Sequence, residues 1–257
     1  MDFSERLIRL NSLNYRPVIH LNLFPCGKTV QRFALTLLVL LLLPLSVGLG
    51  SIGVVIDDFD VGNSGAVPEK FYSVGTYAVF TSTDASIFGG VRKWQVDVTD
   101  HSFADTKVYD GVGGIFGISN GVGQHSIVSI RWDGQDNDTM SGQFPDVDLT
   151  QAGANDSFTL AIDSVDLPTN FALTVSDSVS TVEVSKTFSA AAAGHYFFAE
   201  FAGIDFTDVQ SIELNVHGQN AYDVQIDKLS VGRFVPEPIT ALIWTPVLGM
   251  FLLRRKK

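Results

Sequence analysis

Between residues 51 and 233 apolar side chains recur at every second position, and no stretch sustains a helical period. Successive side chains of an extended chain point to opposite faces, so this pattern dictates strands with one apolar and one wet face. Phe158, Leu160 and Ile162 share a face, Val182, Val184, Lys186 and Phe188 keep the same step, and Ile212, Leu214 and Val216 repeat it. Val224 and Ile226 share a parity that Leu229 and Val231 break by one residue, which predicts a bulge near Asp227 and Lys228. Further strands are expected at 54–59, 77–81, 91–98, 114–118, 126–132, 171–175 and 196–201, with turns at glycines such as Gly111, Gly121 and Gly134. Residues 62–75 read as a loop, and the alanines at 190–193 as a turn of helix at most. Short strands with no crossover helix between them imply an all-β fold, an antiparallel β-sandwich of the jelly-roll kind.

Both ends depart from this pattern. Residues 33–47 are nearly all apolar, preceded by Lys28 and Arg32 and followed by Gly48 and Gly50. Basic n-region, apolar h-region and small residues make a secretory signal, expected as a helix in residues 1–50 with cleavage near Gly50. At the other end, Pro236-Glu237-Pro238 leads into an apolar stretch at 239–253 and the basic run Arg254, Arg255, Lys256 and Lys257. As a helix that stretch spans roughly 22 Å, short of the roughly 30 Å hydrocarbon layer, so it reads as a short membrane helix. The basic run acts as a stop-transfer signal on the cytoplasmic side. The organisation is therefore signal segment 1–50, β-sandwich domain 51–234 and tail 235–257.

Charge narrows the partners. Residues 51–235 hold 25 acidic against 8 basic side chains, a balance of −17, which repels phosphate backbones and sets nucleic acid aside. The same surface suits Ca²⁺, which takes oxygen ligands. Cys26 is the only cysteine and precedes the domain, so the domain has no thiol nucleophile, disulfide or cysteine-based zinc site.

Taken together, Pro236-Glu237-Pro238, the short apolar helix, the basic end and an N-terminal signal resemble the PEP-CTERM sorting tail of Gram-negative bacteria. The resemblance covers about the last 23 residues; Trp244 and Pro246 depart from the usual composition of its helix. It implies export by the Sec machinery, an inner-membrane intermediate, and cleavage near the motif by an exosortase, a membrane cysteine transpeptidase. The product is then expected at the cell surface or in the extracellular matrix, associated with exopolysaccharide and biofilm. Residues 148–158 resemble a block common in such surface proteins. The opening Asp58-Phe59-Asp60 and closing Ile226-Asp227 resemble the edges of galactose-binding-like jelly rolls, including carbohydrate-binding modules. That second resemblance implies a structural Ca²⁺ between Asp60 and Asp227. Asp57, Asp58 and Asp60 repel one another unless solvated or bound to a cation.

The chemical inventory is thin. The domain's glutamates, Glu69, Glu183, Glu200 and Glu213, show no close alternate pair of the kind a retaining glycosidase needs. His101, His125, His195 and His217 are scattered without metal-ligand spacing, and the loop 132–138 lacks the ligand spacing of a calcium-binding helix–loop–helix. Ser119 has no nucleophile-elbow frame, and the glycine clusters at 111–114 and 121–123 precede no helix that could bind phosphate. Sugars stack on Trp or Tyr rings, and Trp94, Tyr109, Trp132, Tyr196 and Tyr222 are the candidates. Parity assigns Trp94, with Val96 and Val98, and Trp132, with Val128 and Ile130, to the core. The expected function is a non-enzymatic surface or matrix protein, with carbohydrate binding as its specific form; the alternative is a secreted glycan hydrolase or lyase on the same scaffold. Mass spectrometry of surface material is expected to find a product lacking residues 1–50 and the tail beyond the Pro-Glu-Pro motif; an intact C-terminal peptide there contradicts the sorting assignment.

Overall fold

The computed structural model describes residues 53–62, 67–100 and 104–234. The signal segment, Pro236-Glu237-Pro238, the stop-transfer residues and His101 lie outside them. Among the described residues no helix is long and apolar enough to cross a membrane.

Two antiparallel sheets of seven strands face each other. The first runs β12 (Ala192–Phe197), β9 (Ser157–Val165), β14 (Asp223–Gly232), β7 (Phe116–Asn120), β6 (Thr106–Asp110) and β2 (Glu69–Phe71), with β1 (Val54–Asp57) also on β14. The second runs β11 (Thr181–Phe188), β10 (Thr169–Asp177), β13 (Val209–Gly218), β8 (His125–Trp132), β5 (Val91–Asp100) and β3 (Gly75–Thr76), with β4 (Phe80–Thr83) beside β5. The all-β sandwich expected from alternation is therefore the fold. The inward rows Phe158, Leu160, Ile162 and Ile212, Leu214, Val216 are buried in one core with Trp94 and Trp132. Removing such side chains from water, at about 25 cal/mol per Å² of apolar surface, is what holds the two sheets together.

The bulge falls where the broken parity places it. Ile226 pairs with Ile162 and Lys228 with Ala161, so Asp227 has no partner across β9. Three short strands were not legible: β2 falls inside the expected loop 62–75, β3 is two residues long, and β6 carries polar Thr106 and Asp110 on its inward face. The alanine run is extended, not helical, because Ala192 and Ala193 pair with Ile162 and Ala161. The strand expected over 196–201 stops at Phe197 and turns through a 3-10 segment, Phe198–Glu200, where the Glu200 carboxylate accepts the Phe197 N–H at 2.7 Å.

An ionic knot ties the sheets together. Arg92 shares the inward parity of Trp94 and is fully buried. Its Nη1 donates to both Asp57 oxygens at 2.7 Å, and its Nη2 donates to Asp110 Oδ1 at 2.5 Å and to the Val61 carbonyl. Trp132 Nε1 donates to Asp57 Oδ2 at 2.7 Å, while Trp94 Nε1 and Ser82 Oγ donate to Asp110 Oδ2 at 2.9 and 2.7 Å. Asp57 and Asp110 belong to the first sheet, and Arg92, Trp94, Trp132 and Ser82 to the second. The cation that relieves the crowded acids at 57–60 is thus Arg92 where Asp57 is concerned. A second buried pair, Lys93 with Asp133 at 2.6 Å, fastens the loop after β8 to the outside of the second sheet.

Burial raises the Asp57 carboxyl above its ordinary 3.8, against the pull of Arg92 and the Trp132 and Phe59 N–H groups. A raised acid holds its proton more tightly folded than unfolded, so this group favours folding less as pH rises through its folded value. Arg92→Met leaves two buried carboxylates without a counter-charge, a loss of about 3–5 kcal/mol in denaturant unfolding at neutral pH. Part of that loss is expected to return on acidification, as the Asp57 carboxylate takes up a proton. A cost below about 0.5 kcal/mol, the range of an ordinary surface change, contradicts the knot's role.

Candidate functional site

The outward face of β6, β7 and β14 carries the site. Val108, Phe116, Ile118, Val224 and Ile226 point into the core, so the alternate residues Lys107, Tyr109, Gly117, Ser119, Asp223 and Gln225 face outward. Register sets them in two rows: Tyr109 opposite Gly117 opposite Gln225, and Lys107 opposite Ser119 opposite Asp223. Directly opposed side chains lie close enough to act on one ligand.

Gly117 is what lets the Tyr109 ring lie down on the sheet. A Cβ there would sit 3.3 Å from Tyr109 Cβ and Cδ2, tighter than ordinary packing. Val112 and Ile115, from the turn after β6, form a wall. That turn passes through left-handed backbone at Gly111, Gly113 and Gly114, with φ of 73°, 71° and 77°, and the Gly111 N–H closes onto the Ile115 carbonyl at 3.1 Å. The result is an open pocket of about 280 Å³ lined by Tyr109, Val112, Ile115, Gly117, Ser119, Asp223 and Gln225, together with Ile118 and Val224. It is below the roughly 300–1,000 Å³ typical of drug-sized ligands. Its chemistry is one aromatic ring flanked by an amide, a hydroxyl and a carboxylate.

The knot also roots this pocket. Asp110, held by Arg92, directly follows Tyr109 on β6. The chain leaving β1 then crosses the end of β6 backbone to backbone. A Cβ on Gly62 would lie 1.9 Å from the Asp110 carbonyl oxygen, and one on Gly111 would lie 2.3 Å from Gly62 N. Only glycine at both positions allows that crossing.

Of the aromatics singled out in the sequence, Tyr109 alone faces outward. Trp94, Trp132, Tyr196 and Tyr222 are fully buried, and Tyr196 donates its hydroxyl to the Phe171 carbonyl at 2.9 Å. His195 lies on β12 with Nδ1 3.1 Å from Thr159 Oγ1 and its ring against Phe234; burial, with the Lys186 charge, holds it below its ordinary 6.5. The loop 132–138 is anchored at two points while Gln135, Asp136 and Asp138 stay exposed: Asp133 is buried against Lys93 and Arg131, and Asn137 accepts from Lys93 at 3.0 Å. Gln225 and Ser119 were missed, because strand parity marks a residue as outward without marking it as useful.

Asp60 and Asp227 are both exposed, Asp60 beyond the end of β1 and Asp227 where the neighbour of β14 changes from β1 to β7. The Asp60 Oδ1 lies over Gly114, 2.8 Å from where a Cβ would be. Among the described residues no three of His, Cys, Asp and Glu converge to hold a metal ion. The calcium site therefore rests on the resemblance. A structural ion held by Asp60 and Asp227 makes EDTA lower the melting temperature, and an unchanged melt removes it.

No family model matches the chain, and no curated protein matches it. Solved structures do. The family 11 carbohydrate-binding module of the cellulosomal cellulase Lic26A-Cel5E of Clostridium thermocellum is 12% identical at a TM-score of 0.35, covering 72% of this chain and 97% of its own. A solution structure of CtCBM11 is 13% identical at 0.39, with coverages of 74% and 99%. A family 29 module is 15% identical at 0.31, with coverages of 74% and 96%. At these values the likenesses assign neither ligand nor activity to the chain.

Proposed function

We propose that the chain is an exported, non-enzymatic surface or matrix protein whose outward Tyr109 face binds carbohydrate. The carrying observation is the Tyr109 ring laid over Gly117, with Gln225, Ser119 and Asp223 beside it. Such a ring takes the apolar face of a sugar, and the polar side chains around it take hydroxyls. Export, exosortase processing and retention near exopolysaccharide are supported by the sequence of the two ends. A retaining glycosidase holds two carboxylates about 5–5.5 Å apart, and among the described residues Asp223 is the one carboxylate lining the pocket.

A glycan array probed with the full chain in mild detergent tests the reading. Binding to at least one glycan is expected, weakened about tenfold or more by Tyr109→Ala, the loss expected for an aromatic anchor. Circular dichroism unchanged in the variant keeps the comparison clean. Binding untouched by Tyr109→Ala moves the site elsewhere, and no binding to any glycan rejects the function.

A further inference from the structure

We propose that the Tyr109 pocket selects a neutral hexose residue and turns away uronic acids, an inference that rests on the carbohydrate reading above. Three observations carry it. First, among the described residues the hydrogen-bonding groups lining the pocket include Asp223 and no lysine or arginine. A carboxylate accepts hydrogen bonds and cannot donate, so its natural partner is a pair of sugar hydroxyls; a ligand carboxylate there meets like charge. Second, the nearest cations by register, Lys107 opposite Ser119 and Lys70 opposite Lys107, lie outside the pocket lining, and Lys107 reaches Asp105 at 3.7 Å. Third, the domain carries 25 acidic against 8 basic side chains over residues 51–235, so its field opposes the approach of a polyanion before contact.

Size sharpens the inference. One aromatic ring and about 280 Å³ fit a single sugar ring at a time, not a long chain laid along several platforms. Among the described residues the row of Tyr109 continues through Gly117, Gln225 and Ser164 across β7, β14 and β9, with no second ring in it. Selectivity must therefore come from the groups around that one ring, of which Asp223 is the charged member.

Isothermal titration of the full chain in mild detergent decides this, with mannohexaose and cellohexaose as neutral probes and hexagalacturonate as the acidic one. At least one neutral probe is expected to bind, with the acidic probe weaker by about tenfold or more at low salt. Raising the salt should narrow that gap, because the long-range part is screened. Asp223→Asn, which keeps the shape and removes the charge, should narrow it further while the fold, followed by circular dichroism, is unchanged. Hexagalacturonate binding as tightly as the neutral probes overturns the selectivity and leaves carbohydrate binding standing. Failure of all three probes alongside an empty glycan array rejects the carbohydrate reading and this inference with it; failure of the three beside a positive array overturns the hexose assignment alone.

Discussion

The buried guanidinium of Arg92 is the constraint on which the sandwich and its outer face both depend. It holds Asp57 from the first strand and Asp110 from β6 in one sheet while belonging to β5 in the other. Two indole N–H groups, a serine hydroxyl and the Phe59 N–H also donate to those carboxylates. Buried charge is tolerated only when paired and hydrogen-bonded. Here the pairing cannot be made unless both sheets and the opening segment are in register, so the knot acts as a check on correct assembly.

The same knot reaches the ligand face through covalent neighbours. Asp110 follows Tyr109 on β6, and the Val61 carbonyl that Arg92 holds precedes the glycine crossing at Gly62 and Gly111. The turn that walls the pocket starts at that crossing. A polar contact in the core thus sets the position of a half-buried outward ring, while the outward residues are left to chemistry instead of stability. This division explains why Lys107, Ser119, Asp223 and Gln225 can be polar with no cost to the core.

Much of the fold was legible because period-two burial is written directly into strands such as β8, β9 and β13. The bulge at Asp227 was legible for the same reason, as a slip in parity. What stayed hidden was what parity cannot carry. β2 and β3 are too short to show a period, and β6 hides its period behind inward Thr106 and Asp110. The knot left one trace, Arg92 on the same parity as Trp94 and Val96, but its partners come from strands far apart in sequence. Tyr109 was among the candidate rings, and burial removed the other four. Gly117 read as a plain strand residue, since the need for a missing side chain appears only when a ring lies across it.

The account stands or falls on where a sugar touches the protein. Amide chemical-shift mapping during titration with a neutral oligosaccharide tests this most directly. Shifts clustered on Tyr109, Gly117, Ser119, Asp223 and Gln225, with the second sheet's outer face silent, are the predicted result. Shifts concentrated on the outer face of β8, β13 and β10, or at the turns of either pole, would contradict it.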